Sequence, residues 1–211
     1  FRQLKVNAVA SQMSRGKLEK STAMALSSIG SSLSKMCMDI CLYMGQDFDF
    51  ISFPADLTTG SSIMPHKKNP DLFELVRGKC NSLQGLPNQL ALLTTNLPSG
   101  YHRELQLAKG PIIDAVQELK SCMDILLFSL PQLKVSQNTT DQKKYDFLFS
   151  VDTLNADVIA GKPFRDAYRA LGETIENGTY IPNRNLKHTH VGSVGNLGLD
   201  LIKAKMETLR F

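Results

Sequence analysis

The sequence has no apolar run approaching the roughly 20 residues that a bilayer-spanning helix needs, and its first residues, Phe-Arg-Gln-Leu-Lys, lack the apolar core of a signal peptide. It has no Cys-x-x-Cys pair: the four cysteines, Cys37, Cys41, Cys80 and Cys122, sit singly in helix-like segments. Cys37 and Cys41 are one helical turn apart with no further ligands beside them. All four therefore read as reduced core residues, which leads to the expectation of a cytoplasmic protein. No run alternates apolar and polar residues cleanly over six positions, which argues against a sheet. The net charge of +4 is modest and not gathered into a basic tract, so nucleic-acid binding gains no support. No internal repeat is evident. The chain opens on Phe rather than Met, and the expectation is a part of a longer polypeptide.

What is present is an ordinary globular composition, 42% hydrophobic and 21% charged over 211 residues, enough for a real core. Apolar residues recur at helical spacing in three long stretches. Ser21–Met44 carries Leu26, Ile29, Leu33, Met36, Cys37 and Ile40. Pro70–Thr94 carries Leu72, Leu75, Val76, Cys80, Leu83, Leu86, Leu90 and Leu93. Pro111–Leu130 carries Ile112, Val116, Leu119, Met123 and Leu126. Gly85 and Pro87 predict a kink or short break in the second stretch. Three such helices call for a bundle, and apolar stripes on more than one face would point to packing between subunits. Shorter helices are predicted near Asp141–Ser150, Val151–Ala160, Pro163–Glu176 and Asn196–Leu209, with Gly161 and Gly178 as C-terminal caps. The fold class expected is all-α: residues 1–135 form part of a central helical bundle, and residues 136–211 form a small C-terminal helical domain.

The stretch from Thr58 to Asp71 is the most informative. Gly60 precedes two hydroxyls, Ser61 and Ser62, then two cations, Lys67 and Lys68. Asn69-Pro70-Asp71 reads as a helix start, with Asn69 as N-cap and Pro70 at the first helical position. A polar loop ending at a helix N-terminus suits an anion. A phosphate-cradling P-loop is excluded, because that motif needs Gly directly before the Lys and here Pro65-His66 stands there.

Within this stretch the pattern Gly-Ser-Ser-x-Met-Pro-x-Lys-x-Asn resembles the signature of the fumarase, aspartase and argininosuccinate lyase superfamily. Tyr101-His102-Arg103-Glu104-Leu105-Gln106-Leu107-Ala108-Lys109 resembles the Tyr-x-x-Asp-Leu-Gln-x-x-Lys element of the argininosuccinate lyases, with Glu104 in place of the Asp. Gly161-Lys-Pro-Phe-Arg-Asp-Ala-Tyr168 resembles a third element of the same branch, where the family has His in place of Tyr168. Lys67-Lys68-Asn69-Pro70 also favours that branch, whereas His66 leans toward the adenylosuccinate lyases.

The resemblance implies a β-elimination that releases fumarate from argininosuccinate. It implies Ser61 as the base, Lys67 as stabiliser of the carbanion and Asn69 as a carboxylate ligand. Glu74 would orient a catalytic His, and Ser62 would be a loop residue in contact with substrate. Tyr101, Gln106 and Lys109 would hold the amino-acid end. The chemistry agrees: a carbon acid beside a carboxylate demands a base together with positive potential for a doubly charged intermediate, and a free Ser hydroxyl is too weak an acid to ionise unaided. The His partner is not in this sequence; His66, His102, His188 and His190 all lie outside the family's Thr-x-x-His context. His188 and His190 read as packing or surface residues. The resemblance implies a homotetramer with shared active sites, and no cofactor or metal. An adenylosuccinate lyase and a crystallin-like, non-catalytic relative remain alternatives.

Overall fold

The computed structural model describes residues 6–64, 66–137, 139–186 and 188–209. It divides into two compact units, residues 1–137 and 138–211. The first is a helical bundle. A short helix α1 (Ala8–Met13) ends at a turn, and α2 (Lys17–Tyr43) begins after Gly16, whose φ of +80° is a conformation open chiefly to glycine. The long α2 packs against α3 (Asp71–Leu83), α4 (Leu86–Leu93) and α5 (Lys109–Ser129). A two-residue strand, β1 (Ile51–Ser52), pairs antiparallel with β2 (Lys134–Val135), and this is the sheet among the described residues. The chain is thus all-α in class, as its periodicity predicts.

The three long helices lie where the apolar spacing places them, within a turn at each end. The break predicted at Gly85-Pro87 is present, but Gln84 and Gly85 both keep right-handed helical backbone, so α4 continues along α2 instead of turning back. The extended connection expected over 46–59 holds β1 and a 3-10 turn at Ala55–Leu57.

Two layers make the core. One joins Cys37 and Ile40 of α2, Phe73, Val76 and Cys80 of α3, and Cys122 and Leu126 of α5, with Phe53 and Leu57 from the connection. The rings of Phe53 and Phe73 lie 4.6 Å apart at a tilted angle, a favourable aromatic contact. The other layer joins Ala23, Leu83, Leu86, Leu90, Ala115 and Leu119. Helices α2 and α3 approach closely where Gly30 faces the Cys80 carbonyl, and Ser34 Oγ donates to Asn81 Oδ1 at 2.6 Å beside that point. Lys79 of α3 pairs with Glu118 of α5.

Not every periodic apolar residue is inside. Ile29, Val116 and Met123 are exposed, and so are Met24 and Met38 of α2 and Leu127 and Phe128 of α5. The bundle therefore carries apolar side chains on outer faces as well as in its core.

In the second unit, a 3-10 segment Lys143–Phe149 stands where an α-helix is predicted; it is followed by α6 (Ser150–Ile159), α7 (Phe164–Glu176) and α8 (Leu199–Glu207). Gly161 and Gly178 both take positive φ at helix ends, as C-terminal caps do. After Gly178, Thr179 N donates back to Thr174 O at 2.9 Å, closing the cap. Arg184 pairs with Asp146, and His188 Nε2 lies 2.9 Å from Asp152 Oδ1.

Candidate active site

The signature loop leaves the core through Phe53 and Leu57, both buried, and returns to it through Phe73. Its neck is a pair of backbone hydrogen bonds: Thr59 N donates to Asn69 O at 3.2 Å and Asn69 N to Thr59 O at 2.8 Å. The Asn69 amide donates to Gly60 O at 3.4 Å, and Thr59 Oγ1 donates to the Asp71 carboxylate. Here the expected helix start is corrected. Asn69 is held in the bridge and its side chain turns back across the loop, so it does not cap α3. Pro70 takes the N-cap position, and the first helical residue is Asp71.

Inside the loop, Ser61 is half-buried and its Oγ accepts hydrogen bonds from Ile63 N and Met64 N, both at 3.2 Å. Such donors favour a developing negative charge on that oxygen. Ser62 is exposed. Lys67 is exposed, and its backbone N–H closes a turn onto Met64 O at 3.0 Å. A pocket of about 550 Å³ opens between this loop and the C-terminal end of α2. Lys67, Lys68, His66 and Asn69 line one side of it, and Cys41, Met44 and Gln46 the other. Glu74 is exposed one turn into α3; burial raises the pKa of the Cys41 thiol, the Arg77 charge opposes that, and the Glu74 charge adds to it.

The second element lies elsewhere. Asn96, with φ of +65°, turns the chain out of α4 into the loop that carries Tyr101. Residues Arg103–Ala108 form a 3-10 helix whose Leu105 and Ala108 are buried, leaving Gln106 half-buried and Lys109 exposed at the start of α5. Gln106 Nε2 donates to the Tyr101 phenol oxygen, so these two side chains already form a unit. The Arg15 guanidinium sits 5.3 Å from the Tyr101 ring centroid, a cation–π contact, and its Nε is 3.5 Å from Glu19, whose other oxygen accepts from Gly16 N at 2.8 Å. The sequence around Arg15 reads only as a helix break, so this contact was not legible there; an isolated Arg beside a Gly turn carries no motif.

The two elements flank opposite ends of α2. The signature loop shares its pocket with Cys41 and Met44 at the C-terminal end. Leu105 and Thr94 lie against Gly16, and Tyr101 against Arg15, at the N-terminal end. Helix α2 has 27 residues, about 40 Å at 1.5 Å per residue. The structure brings Ser61, Lys67, Asn69 and Glu74 into one neighbourhood and Tyr101, Gln106 and Lys109 into another. A single chain does not unite them.

Known proteins resemble this chain in sequence and in fold. A family model described as lyase matches residues 7–85. Argininosuccinate lyase of Parabacteroides distasonis is 49% identical over 209 residues, covering 99% of this chain and 47% of that protein. Argininosuccinate lyase of Xanthomonas oryzae pv. oryzae is 34% identical over 213 residues, covering 100% of this chain and 49% of that protein. The chain thus spans about half the length of the curated relatives it matches. A fumarate lyase:delta crystallin from Brucella melitensis shares the fold with a TM-score of 0.68 at 20% identity, over 83% of this chain and 39% of that one.

Proposed function

The chain is a relative of the argininosuccinate lyases along its whole length, and from that premise we propose that the complete protein cleaves argininosuccinate to arginine and fumarate. The observation that carries the proposal is the geometry of the signature loop: one hydroxyl, Ser61 Oγ, receiving two backbone N–H groups, on a loop that also carries Lys67 and ends at the start of α3.

The reaction is a β-elimination. In the proposal Ser61, as alkoxide, removes a proton from the carbon beside a carboxylate of the succinyl half. The Ile63 and Met64 N–H groups lower the cost of the alkoxide, and Lys67 adds positive potential. The electron pair left on carbon spreads into the adjacent carboxylate, where Lys67 and the Asn69 amide meet the doubled charge. The pair then forms the carbon–carbon double bond of fumarate while the carbon–nitrogen bond breaks and arginine departs. Ser62 contacts the substrate from the same loop, and Glu74 orients a His contributed by the part of the protein outside this chain. At the other end, Tyr101, Gln106 and Lys109 hold the α-amino acid group of the leaving arginine. A purine ribonucleotide leaving group would require a cluster of groups for its phosphate instead.

Because the two elements stand at opposite ends of α2, the proposal includes active sites assembled from several copies of the protein, in a homotetramer. The exposed apolar residues Met24, Met38, Val116, Leu127 and Phe128 on the long helices support burial against further subunits. The four unpaired cysteines support a reducing, cytoplasmic setting. A second reading, adenylosuccinate cleavage, draws support from His66 beside Lys67 in the pocket.

The test is fumarate release by the purified complete protein, followed by ultraviolet absorbance, with each substrate. Argininosuccinate is expected to turn over and adenylosuccinate scarcely. The reverse preference moves the protein to the adenylosuccinate branch, and release from neither moves it to a non-catalytic role.

A further inference from the structure

We infer that Thr59 and Asp71 are positioning residues that fix the neck of the signature loop and so set where Ser61 and Lys67 stand during the elimination. The inference rests on the function proposed above and adds two residues to it.

The limbs of the loop are buried in the core, and the described residues of its interior are mostly exposed. Phe53 and Leu57 before it and Phe73 after it are buried in one core layer. Between them, Gly60, Ser62, Ile63, Met64, His66, Lys67 and Lys68 are all exposed, Ile63 to 86%. The hydrogen bonds within the described interior are local: Ile63 and Met64 N to Ser61 Oγ, and Lys67 N to Met64 O. They shape the loop without fixing it to the bundle.

Placement is therefore decided at the neck. The Thr59–Asn69 backbone bridge and the Asn69 bond to Gly60 O join the loop to itself. The bond from Thr59 Oγ1 to the Asp71 carboxylate is of another kind, since Asp71 is the first residue of α3. It ties the outgoing limb of the loop to the helix carrying Phe73, Val76 and Cys80 into the core. Ser61 lies two residues beyond Thr59, and Lys67 four residues before Asp71. Any swing of the neck is passed to both, and a misplacement of about 1 Å can lower a rate roughly 100-fold. Asp71 also suits the positive end of α3, a purely structural benefit that the tests below separate from positioning.

In the complete protein, Thr59→Val keeps the shape and removes the donor. It is expected to lower kcat by about 10- to 100-fold with KM changed less than about threefold. Thr59→Ser restores the donor and is expected to recover kcat to within about threefold of the parent. Asp71→Ala matches Thr59→Val, and the double variant is no slower than the worse single one, because both remove the same bond. Unfolding temperature is measured on each variant. Parental kcat in Thr59→Val, no rescue by Ser, or losses that multiply in the double variant overturn the inference. Amide hydrogen exchange gives a readout independent of turnover. Thr59→Val is expected to speed exchange at Ile63, Met64 and Asn69 and to leave Val76 and Cys80 of α3 unchanged; unchanged exchange in the loop overturns the inference. A parent that releases no fumarate from argininosuccinate contradicts the functional reading instead, and the exchange measurement still decides the role of the neck.

Discussion

Gly30 of α2 faces the carbonyl of Cys80 on α3 so closely that a Cβ built on the glycine would lie 3.1 Å from that oxygen. Real Cβ atoms seldom come so near. The absence of a side chain here lets the two helices meet, and the Ser34–Asn81 hydrogen bond lies one turn further on. Gly30→Val would force α2 and α3 apart between the two core layers. A loss of about 1–3 kcal/mol is expected, read as a lower unfolding temperature. An unchanged temperature would show that the approach is not required.

The buried thiols make a pH prediction. Burial, with the neighbouring thiols adding to it, pushes Cys37 up to about 11 and Cys80 up to about 12, from 9.0. Cys122 is raised as well, chiefly by burial. A folded pKa above the unfolded one means that the native state keeps its protons where the unfolded state loses them. The stability linked to these thiols is therefore complete below about pH 9 and is lost as pH rises toward 11–12. Urea midpoints are expected to fall steadily over that range. Alkylation of the native protein near neutral pH should label half-buried Cys41 before Cys37, Cys80 and Cys122, which are at most 1% exposed. Equal labelling of all four would contradict the burial.

In the complete protein, Ser61→Ala removes the proposed base and leaves the carboxylate-binding groups. Turnover should fall about 10²- to 10⁴-fold while substrate still binds. Lys67→Met should damage rate and binding together, because its charge faces the substrate in both the ground and the transition state. Near-normal turnover in Ser61→Ala would reassign the base.

Much of this was legible in the sequence. The apolar spacing located α2, α3 with α4, and α5, and the Gly-Ser-Ser-x-Met-Pro-x-Lys-x-Asn pattern located the loop. What escaped has identifiable causes. Local capping rules favour Asn69 as the N-cap, but the bridge to Thr59 occupies it, and that bridge depends on residues ten positions apart. Gly85 and Pro87 predict a break without saying whether the chain turns back. The helical backbone kept at Gln84 and Gly85 carries α4 onward, and that detail sends Tyr101 and Gln106 to the far end of α2. Helical periodicity marks Ile29, Val116 and Met123 as apolar-face residues, but it does not say whether the face meets this chain or another.

The proposed function puts Ser61 and Gln106 in one reaction although they stand at opposite ends of α2, and therefore has each active site draw them from different copies. The direct measurement is subunit mixing. Complete protein carrying Ser61→Ala and complete protein carrying Gln106→Ala are purified separately, unfolded together and refolded as a mixture. Each variant alone should be nearly inactive. The mixture should regain clear fumarate release from argininosuccinate, because some mixed assemblies bring an intact Ser61 from one copy to an intact Gln106 from another. A refolded mixture no more active than its two components would place both residues in a site built from one chain and overturn the shared-site proposal.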